Sequence, residues 1–386
     1  MSMRRRDFLK AAAAGVVYGC SRSEEPKGED YFEDRMETMH IPGLTGCVMR
    51  NGETVREIAY GFSNLDKKTP IGLDTIQNIA SISKTFAATA LMQLWEQGEF
   101  RLDDDVNALL PYTVNPKATV TFRQLLTHTS GIADGTSYSR NYVCGDPEIS
   151  LSEWLEEYFT PGGRFYDENE NFHAWGPGER YTYCNVAYGL LGHLIEVMSG
   201  EPFADYCQSH IFEPLDMPET SWFLADVDTA KHAIPYTWVE QGEARGPTWG
   251  GEPLGAIGAA AEADGYLANC LYNHPNYPDG FLRTSVRQLA LYMNAYLRGG
   301  EPILKKETVD TMLKVHSEEI WGLCWYVRDV GGRPFWGHGG ADPGVNTRID
   351  FNRETGVGSI LFANTFMDDA AAEMRDLNAR LIRTSS

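Results

Sequence analysis

The sequence predicts an α+β fold: an antiparallel sheet built from both chain ends, flanked by helices, with a mostly helical inserted half. Three observations lead there. Short β-branched and aromatic runs bounded by turn residues cluster at 45–60 and again at 323–362. Runs with helical spacing fill the interior of the chain. No repeat and no low-complexity linker divides the 386 residues, 42% of them apolar, so the two halves are expected to share one packed unit.

Residues 1–19 read as an address. Arg4, Arg5, Arg6 and Lys10 precede an apolar stretch, Ala11 to Gly19, too short to span a membrane. Arg5 to Lys10 resembles a twin-arginine export signal. Val17-Tyr18-Gly19-Cys20 resembles a bacterial lipobox, in which Cys20 takes the lipid and becomes the new N-terminus. The expected location is therefore the bacterial periplasm or cell envelope, with lipid on Cys20 as the only membrane attachment. Residues 20–36 are rich in Ser, Glu, Pro, Gly and Asp and are expected to form an acidic tether. Residues 37–383 are expected to be a single catalytic domain.

The elements follow in order. Residues 45–49 and 53–60 flank Asn51-Gly52, a pairing that predicts a β-hairpin. Residues 81–97 predict a helix with Phe86, Ala90, Leu94 and Trp95 near one face and Gly98 as its stop. Residues 130–180, rich in Gly, Pro, Tyr and acidic side chains, predict a long ordered excursion over a cleft. Helices follow at 186–199, closed by Gly200, and at 286–297, closed by Gly299-Gly300. Strands are expected at 323–328, 334–336, 347–351 and 359–362. A helix over 368–382 aligns Met374, Leu377 and Leu381. Among seven cysteines, Cys47, Cys184 and Cys324 sit in apolar stretches and read as buried thiols. A disulfide of Cys144 with Cys207 or Cys270 is compatible with an oxidising compartment.

Charge excludes some classes. With 33 basic and 54 acidic residues the formal charge is −21, which repels nucleic-acid phosphates and acidic membrane surfaces. The histidines show no paired-ligand spacing, so no metal and no organic cofactor is expected. The partner expected is a small-molecule or peptide substrate; oligomeric state is left open.

Three elements carry chemistry. Ser81-Ile82-Ser83-Lys84 opens a helix, where positions three apart share a face, so Ser81 and Lys84 can touch. A serine hydroxyl needs a base, and a desolvated lysine can supply one. Tyr183-Cys184-Asn185 offers a phenol to relay a proton and a carboxamide to hold a substrate amide. Gly337-His338-Gly339-Gly340 leaves the strand at 334–336; its glycines admit a close substrate, and His338 is a proton-handling group at the cleft edge.

Taken together, these elements resemble the class C β-lactamase and DD-peptidase branch of the penicillin-binding serine hydrolases. Order and separation agree: S-x-x-K, then Y-x-N, then H-x-G in place of K-T-G. Flanking text agrees at residues 75–81, 125–131, 183–196 and 211–217, so the resemblance covers roughly residues 40–365. It implies a β-lactamase/transpeptidase-like fold and a catalytic set of Ser81, Lys84, Tyr183 and His338. In that set Ser81 is acylated, Lys84 takes its proton, and Tyr183 shuttles a proton to the leaving group. Asn185 contacts the substrate amide together with Gly339, Gly340 and Ala341, and the N–H groups of Ser81 and Ala341 form the oxyanion hole. Two departures stand out: Cys184 replaces a serine, and His338 replaces a permanent cation. The H-x-G form resembles carboxypeptidases, D-aminopeptidases and esterases more than efficient β-lactamases. The expected activity is hydrolysis of D-amino-acid peptides or of small esters and amides; a β-lactamase or a non-catalytic binding or sensor protein are the alternatives.

Overall fold

A computed structural model describes residues 29–385, apart from 116–117, 241, 245, 250–251, 259–261, 264, 318–319 and 368–369. The expected signal segment, Cys20 and the first part of the expected tether lie outside the described residues.

A seven-stranded antiparallel sheet forms the frame. Its strands are β1 (Gly43–Arg50), β2 (Glu53–Asn64), β3 (Thr69–Pro70), β4 (Tyr326–Asp329), β5 (Pro334–Asp342), β6 (Val345–Asn352) and β7 (Val357–Ala363), in the order β4-β5-β6-β7-β1-β2-β3. The two chain ends meet in its centre, where Cys47 of β1 pairs with Ile360 of β7. Asn51 and Gly52 both adopt positive φ, which matches the right-handed twist of the β1–β2 hairpin. Strands β6 and β7 are buried along their whole length because helices cover both faces.

The outer face is covered by α1 (Glu29–Thr38) and α5 (Ala370–Arg383). Here the expectation of a tether over 20–36 is corrected: residues 29–36 belong to a helix. Phe32 and Met36, four apart, face the sheet and are buried. The Tyr31 hydroxyl donates to Asp376 at 2.6 Å and Arg35 pairs with Glu373, which ties α1 to α5.

The inner face carries the helical half. Helices α2 (Ser83–Gln97), α3 (Val186–Ser199) and α4 (Val286–Leu297) pack around one continuous core with the sheet. Gly98 and Gly200 close α2 and α3 in the left-handed conformation, as expected. Cys144 is bonded to Cys270, while Cys47, Cys184, Cys207 and Cys324 are free and buried.

A second correction concerns β5. The strand does not end at Trp336; it runs through Gly337-His338-Gly339-Gly340 to Asp342. Pairing with β6 overrides the glycine signal, with His338 opposite Ile349 and Gly340 opposite Thr347. The β4 pairing stops at Gly337. Beyond it the far edge of β5 is left open toward the start of α2.

Candidate active site

The position of Ser81 is set by a strained backbone. Ser81 lies in a tight turn, Ala80–Ile82, that runs into α2. Ala80 has φ 47°, in the left-handed region that costs a residue with a Cβ on the order of 1–2 kcal/mol. The Asn78 side chain holds it by accepting the Ala80 N–H at 2.7 Å. Ser81 is thereby presented at the cleft floor, 8% exposed.

Lys84 stands one turn on and is wholly buried. Its Nζ contacts Ser81 Oγ at 3.1 Å, Asn185 Oδ1 at 2.7 Å and the Asp279 carbonyl oxygen at 2.6 Å. Two of these are acceptors only, so each takes an N–H. The remaining position faces Ser81: an ammonium donates there, and a neutral amine offers its lone pair. Burial pushes the Lys84 pKa down, while the carboxylates of Asp279 and Asp134 pull it back. That is the requirement for a base able to take the serine proton at neutral pH.

Asp134 and Asp279 escaped the sequence reading. Asp134 is half-buried and accepts from the backbone N–H of Asn185 at 2.8 Å and of Val186 at 2.9 Å, and from Asn185 Nδ2 at 2.9 Å. It therefore caps α3 and orients Asn185. The carboxamide that the resemblance assigns to a substrate amide is engaged by the protein at both ends, by Lys84 and Asp134. Asp279 lies 3.5 Å from Lys84 Nζ through Oδ2, and the same oxygen accepts the Tyr138 hydroxyl at 2.7 Å. No local pattern marks either residue, since Asp134 sits in a loop, Asp279 ends a single 3-10 turn, Tyr277–Asp279, and both reach the site only through tertiary contacts.

Tyr183 shares the wall of one cavity with Ser81, and burial holds its pKa well above the usual phenol range, so it is a neutral O–H. Lys84 Nζ lies 5.0 Å from its ring centre. Behind it stacks His128, ring centres 4.3 Å apart, whose Nδ1 accepts the Cys184 N–H at 3.1 Å. Cys184 points away from the cleft toward Asp134.

His338 is 2% exposed. Its Nδ1 donates to the adjacent Gly339 carbonyl at 2.7 Å, leaving Nε2 as an acceptor without a partner among the described residues. Burial, then the nearby Lys84 charge, push its pKa down to about 3. The ring is therefore neutral and supplies no cation. Gly340 lets β5 approach the nucleophile turn: a Cβ there would collide with the Ile79 carbonyl oxygen and Thr347 Oγ1.

Two cavities meet at Ser81 and Ala341. The larger, about 540 Å³, is walled by Tyr181, Tyr183, Trp321, Tyr326, His338 and Arg348, with Gly339 and Gly340 along β5 and exposed Arg375 at its edge. Arg348 is itself engaged by Asp350 and Tyr326. The smaller lies on the Asn185 and Asp279 side. The sequence-expected residues are thus brought to one place: Ser81, Tyr183, Asn185, His338, Gly339, Gly340 and Ala341 at the cavities, with Lys84 directly behind Ser81. Trp175, in the expected excursion, lines a separate cavity with His173 and Phe172.

Comparison with known proteins places this geometry. The family described as Beta-lactamase matches residues 29–383. Protein flp of Staphylococcus aureus is 30% identical over 210 residues, which is 53% of this chain and 40% of that protein. The match thus spans well under two thirds of that relative's length. Putative penicillin-binding protein PbpX of Bacillus subtilis is 24% identical over 323 residues, covering 83% of this chain and 70% of PbpX. The fold is shared with D-amino acid amidase from Ochrobactrum anthropi SV3, with TM-score 0.74, 22% identity and coverage of 91% and 96%. It is also shared with an octameric penicillin-binding protein homologue from Pyrococcus abyssi, with TM-score 0.69, 24% identity and coverage of 92% and 78%.

Proposed function

The chain belongs to the beta-lactamase family, and from that premise we propose that it is a serine hydrolase acting through an acyl-enzyme on Ser81, with amides or peptides of D-amino acids as its substrate class. The observation that carries this reading is the buried Lys84 Nζ, 3.1 Å from Ser81 Oγ with its other two contacts filled by acceptors. In this reading Ser81 Oγ attacks the substrate carbonyl as its proton passes to Lys84. The oxyanion meets the N–H groups of Ser81 and Ala341. Tyr183 passes a proton to the departing amine, and the C–N bond breaks. Water then attacks the ester, gives up its proton through the same groups, and frees Ser81.

A neutral His338 argues against a substrate whose carboxylate must sit on that ring, as a β-lactamase reading would have it. Arg375 at the edge of the larger cavity is the cation available to a leaving group's carboxylate. The similarity to penicillin-binding proteins and the fold shared with a D-amino acid amidase support the substrate class. The leader-like residues 1–20 support a place in the cell envelope, anchored through Cys20.

The test is intact mass after treatment with a fluorophosphonate, on wild type and on Ser81→Ala. One adduct on the wild type, absent from the variant, is expected. An unlabelled, folded wild type would remove the enzyme reading and favour a binding protein. Release of D-alanine from a D-Ala-D-Ala peptide, against hydrolysis of a nitrophenyl ester, then separates peptidase from esterase.

A further inference from the structure

Asp279 stands beside Lys84 with bonding capacity to spare. Its Oδ2 accepts the Tyr138 hydroxyl at 2.7 Å and lies 3.5 Å from Lys84 Nζ, and its Oδ1 accepts Asn276 Nδ2 at 3.2 Å. A carboxylate has about four acceptor positions, more than these contacts fill. The side chain keeps 3% exposure, and the residue borders the smaller cavity together with Ser81, Asn185, Gly280 and Ala341. Burial makes its carboxyl more basic than an exposed one, while the facing Lys84 favours the ionised form.

Size decides what the smaller cavity can hold. It has about 10 Å³ of room for the centre of a water-sized group, which is one water. An acyl chain or a departing amine does not fit there, whereas the larger cavity, about 540 Å³, has space for both. Tyr183 and His338 border the larger cavity alone, and Asn185 and Asp279 the smaller alone. A water in the smaller cavity therefore lies beside an ester on Ser81, next to a carboxylate and away from Tyr183. Asp342 borders that cavity too, but its Oδ1 accepts the Tyr142 hydroxyl at 2.8 Å and its Oδ2 is closed off by burial. Asp279 is the carboxylate left to act on the water.

We propose that the smaller cavity holds the hydrolytic water and that Asp279 is the general base of deacylation. This rests on the acyl-enzyme reading and assigns its second half. The water oxygen attacks the ester carbonyl carbon as one of its protons moves to the Asp279 carboxylate. The oxyanion meets the N–H groups of Ser81 and Ala341. On collapse the bond between that carbon and Ser81 Oγ breaks. Lys84 gives a proton to Ser81 Oγ and takes the one on Asp279, so all three groups end as they began and the product leaves as a carboxylic acid. A nucleophile larger than water must approach through the larger cavity, on the Tyr183 side, where the leaving group departed. Water and acceptor amines thus reach the ester from different sides, and Asp279 serves water alone.

The test uses p-nitrophenyl acetate, with glycinamide as a competing acceptor, on wild type, Asp279→Asn and Gly280→Ala. A Cβ on Gly280 would come no closer than 4.0 Å to its nearest neighbour, the Ala80 carbonyl carbon, so the alanine adds a methyl at the cavity wall without collision. Asp279→Asn should slow deacylation by at least ~100-fold, the scale of a lost general base, and the acetyl-enzyme should then be visible by intact mass. Both variants should raise the ratio of acetylglycinamide to acetate by at least ~10-fold over wild type, the first by removing the base and the second by taking the room of the water. If Asp279 did no more than hold Lys84, both paths would slow together and the ratio would stay. An unchanged ratio in either folded variant overturns the proposal, as does rapid deacylation in a folded Asp279→Asn. Gly280→Ala carries the test where Asp279→Asn fails to fold. No turnover by a folded wild type, or turnover that survives Ser81→Ala, would sink the acyl-enzyme reading itself. Acetylation of Ser81 with an unchanged product ratio would sink the assignment of Asp279 alone.

Discussion

Lys84 and Asp279 form a fully buried pair: the lysine Nζ lies 2.6 Å from its partner's backbone carbonyl oxygen and 3.5 Å from its carboxylate. The carbonyl fixes the amine in place, and the carboxylate adjusts how readily it holds a proton. An opposing charge at this distance favours the ammonium, against the burial that disfavours it.

Asp279→Asn removes that charge and keeps the shape. Lys84 then deprotonates more easily, so the acid limb of kcat/KM should move to lower pH. A pH profile of nitrophenyl ester hydrolysis checks it. A limb that stays in place, or moves up, would mean that Lys84 is not the titrating base.

Asp134→Ala should act at a distance from the reacting atoms. It strips the acceptor from the N–H groups of Asn185 and Val186 at the start of α3 and from the Asn185 side chain. Leaving such groups buried and unpaired costs about 1–3 kcal/mol each before relaxation. Urea unfolding should show a loss of about 3 kcal/mol, with a slower rate of fluorophosphonate labelling because Asn185 no longer holds Lys84. Unaltered labelling with reduced stability would confine Asp134 to a capping role.

Gly340→Ala tests the closeness of β5 to the nucleophile turn. The added methyl meets the Ile79 carbonyl oxygen, which is backbone and cannot rotate away. The strand must retreat, taking the Ala341 N–H with it. Labelling of Ser81 should slow by about 100-fold, the scale of losing one oxyanion donor. A rate near that of the wild type would show that Ala341 does not contribute.

Much of this was legible in the residues, and the reason is local. Ser81 and Lys84 are three apart on a helix, so spacing alone joins them. The β1–β2 hairpin is announced by Asn51-Gly52 between alternating strands. What failed was non-local. Asp134, Asp279 and Asp342 arrive from loops and a strand end, with the site assembled only by packing. The glycines of β5 read as a strand stop because nothing nearby reveals that β6 will pair with them. Phe32 and Met36 were lost in a charged stretch because two apolar residues make a short helical stripe.

Acid should weaken the fold through its buried histidines. His274 accepts the Asn276 N–H on Nδ1 and uses Nε2 to donate to the Tyr138 carbonyl, so neither nitrogen can take a further proton without losing a bond. Burial pushes its pKa down to about 3. The unfolded histidine titrates near 6.5, so below that pH the unfolded state binds the extra proton and stability falls until about pH 3. At pH 5 the loss is about 2 kcal/mol for this residue. His232 acts in the same sense, while Asp342, pushed up to about 7, gains stability as it protonates and offsets part of the loss. His274→Asn should therefore lose less stability than the wild type between pH 7.5 and 5. An equal loss in urea titrations would exclude the residue as a source.

The Cys144–Cys270 bond pins the loop carrying Tyr138 and Tyr142 to the segment before Tyr272. Replacing both cysteines by serine should lower stability by about 2–5 kcal/mol. Selectivity among substrates should relax with it, because Tyr138 and Tyr142 wall the smaller cavity beside Ser81. Unchanged selectivity in a destabilised variant would show that packing alone holds those rings.

The central pairing of β1 with β7 sets a timetable for folding. Its two strands lie roughly 300 residues apart, so the sheet's middle rung is among the last contacts that can form. At about 5–20 residues per second, a ribosome takes roughly 15–60 s to deliver β7 after β1. Throughout that interval one edge of β1 waits unpaired, with apolar residues on display. A truncation before β7 would therefore split the sheet through its middle, parting β4-β5-β6 from β1-β2-β3, rather than trim its end.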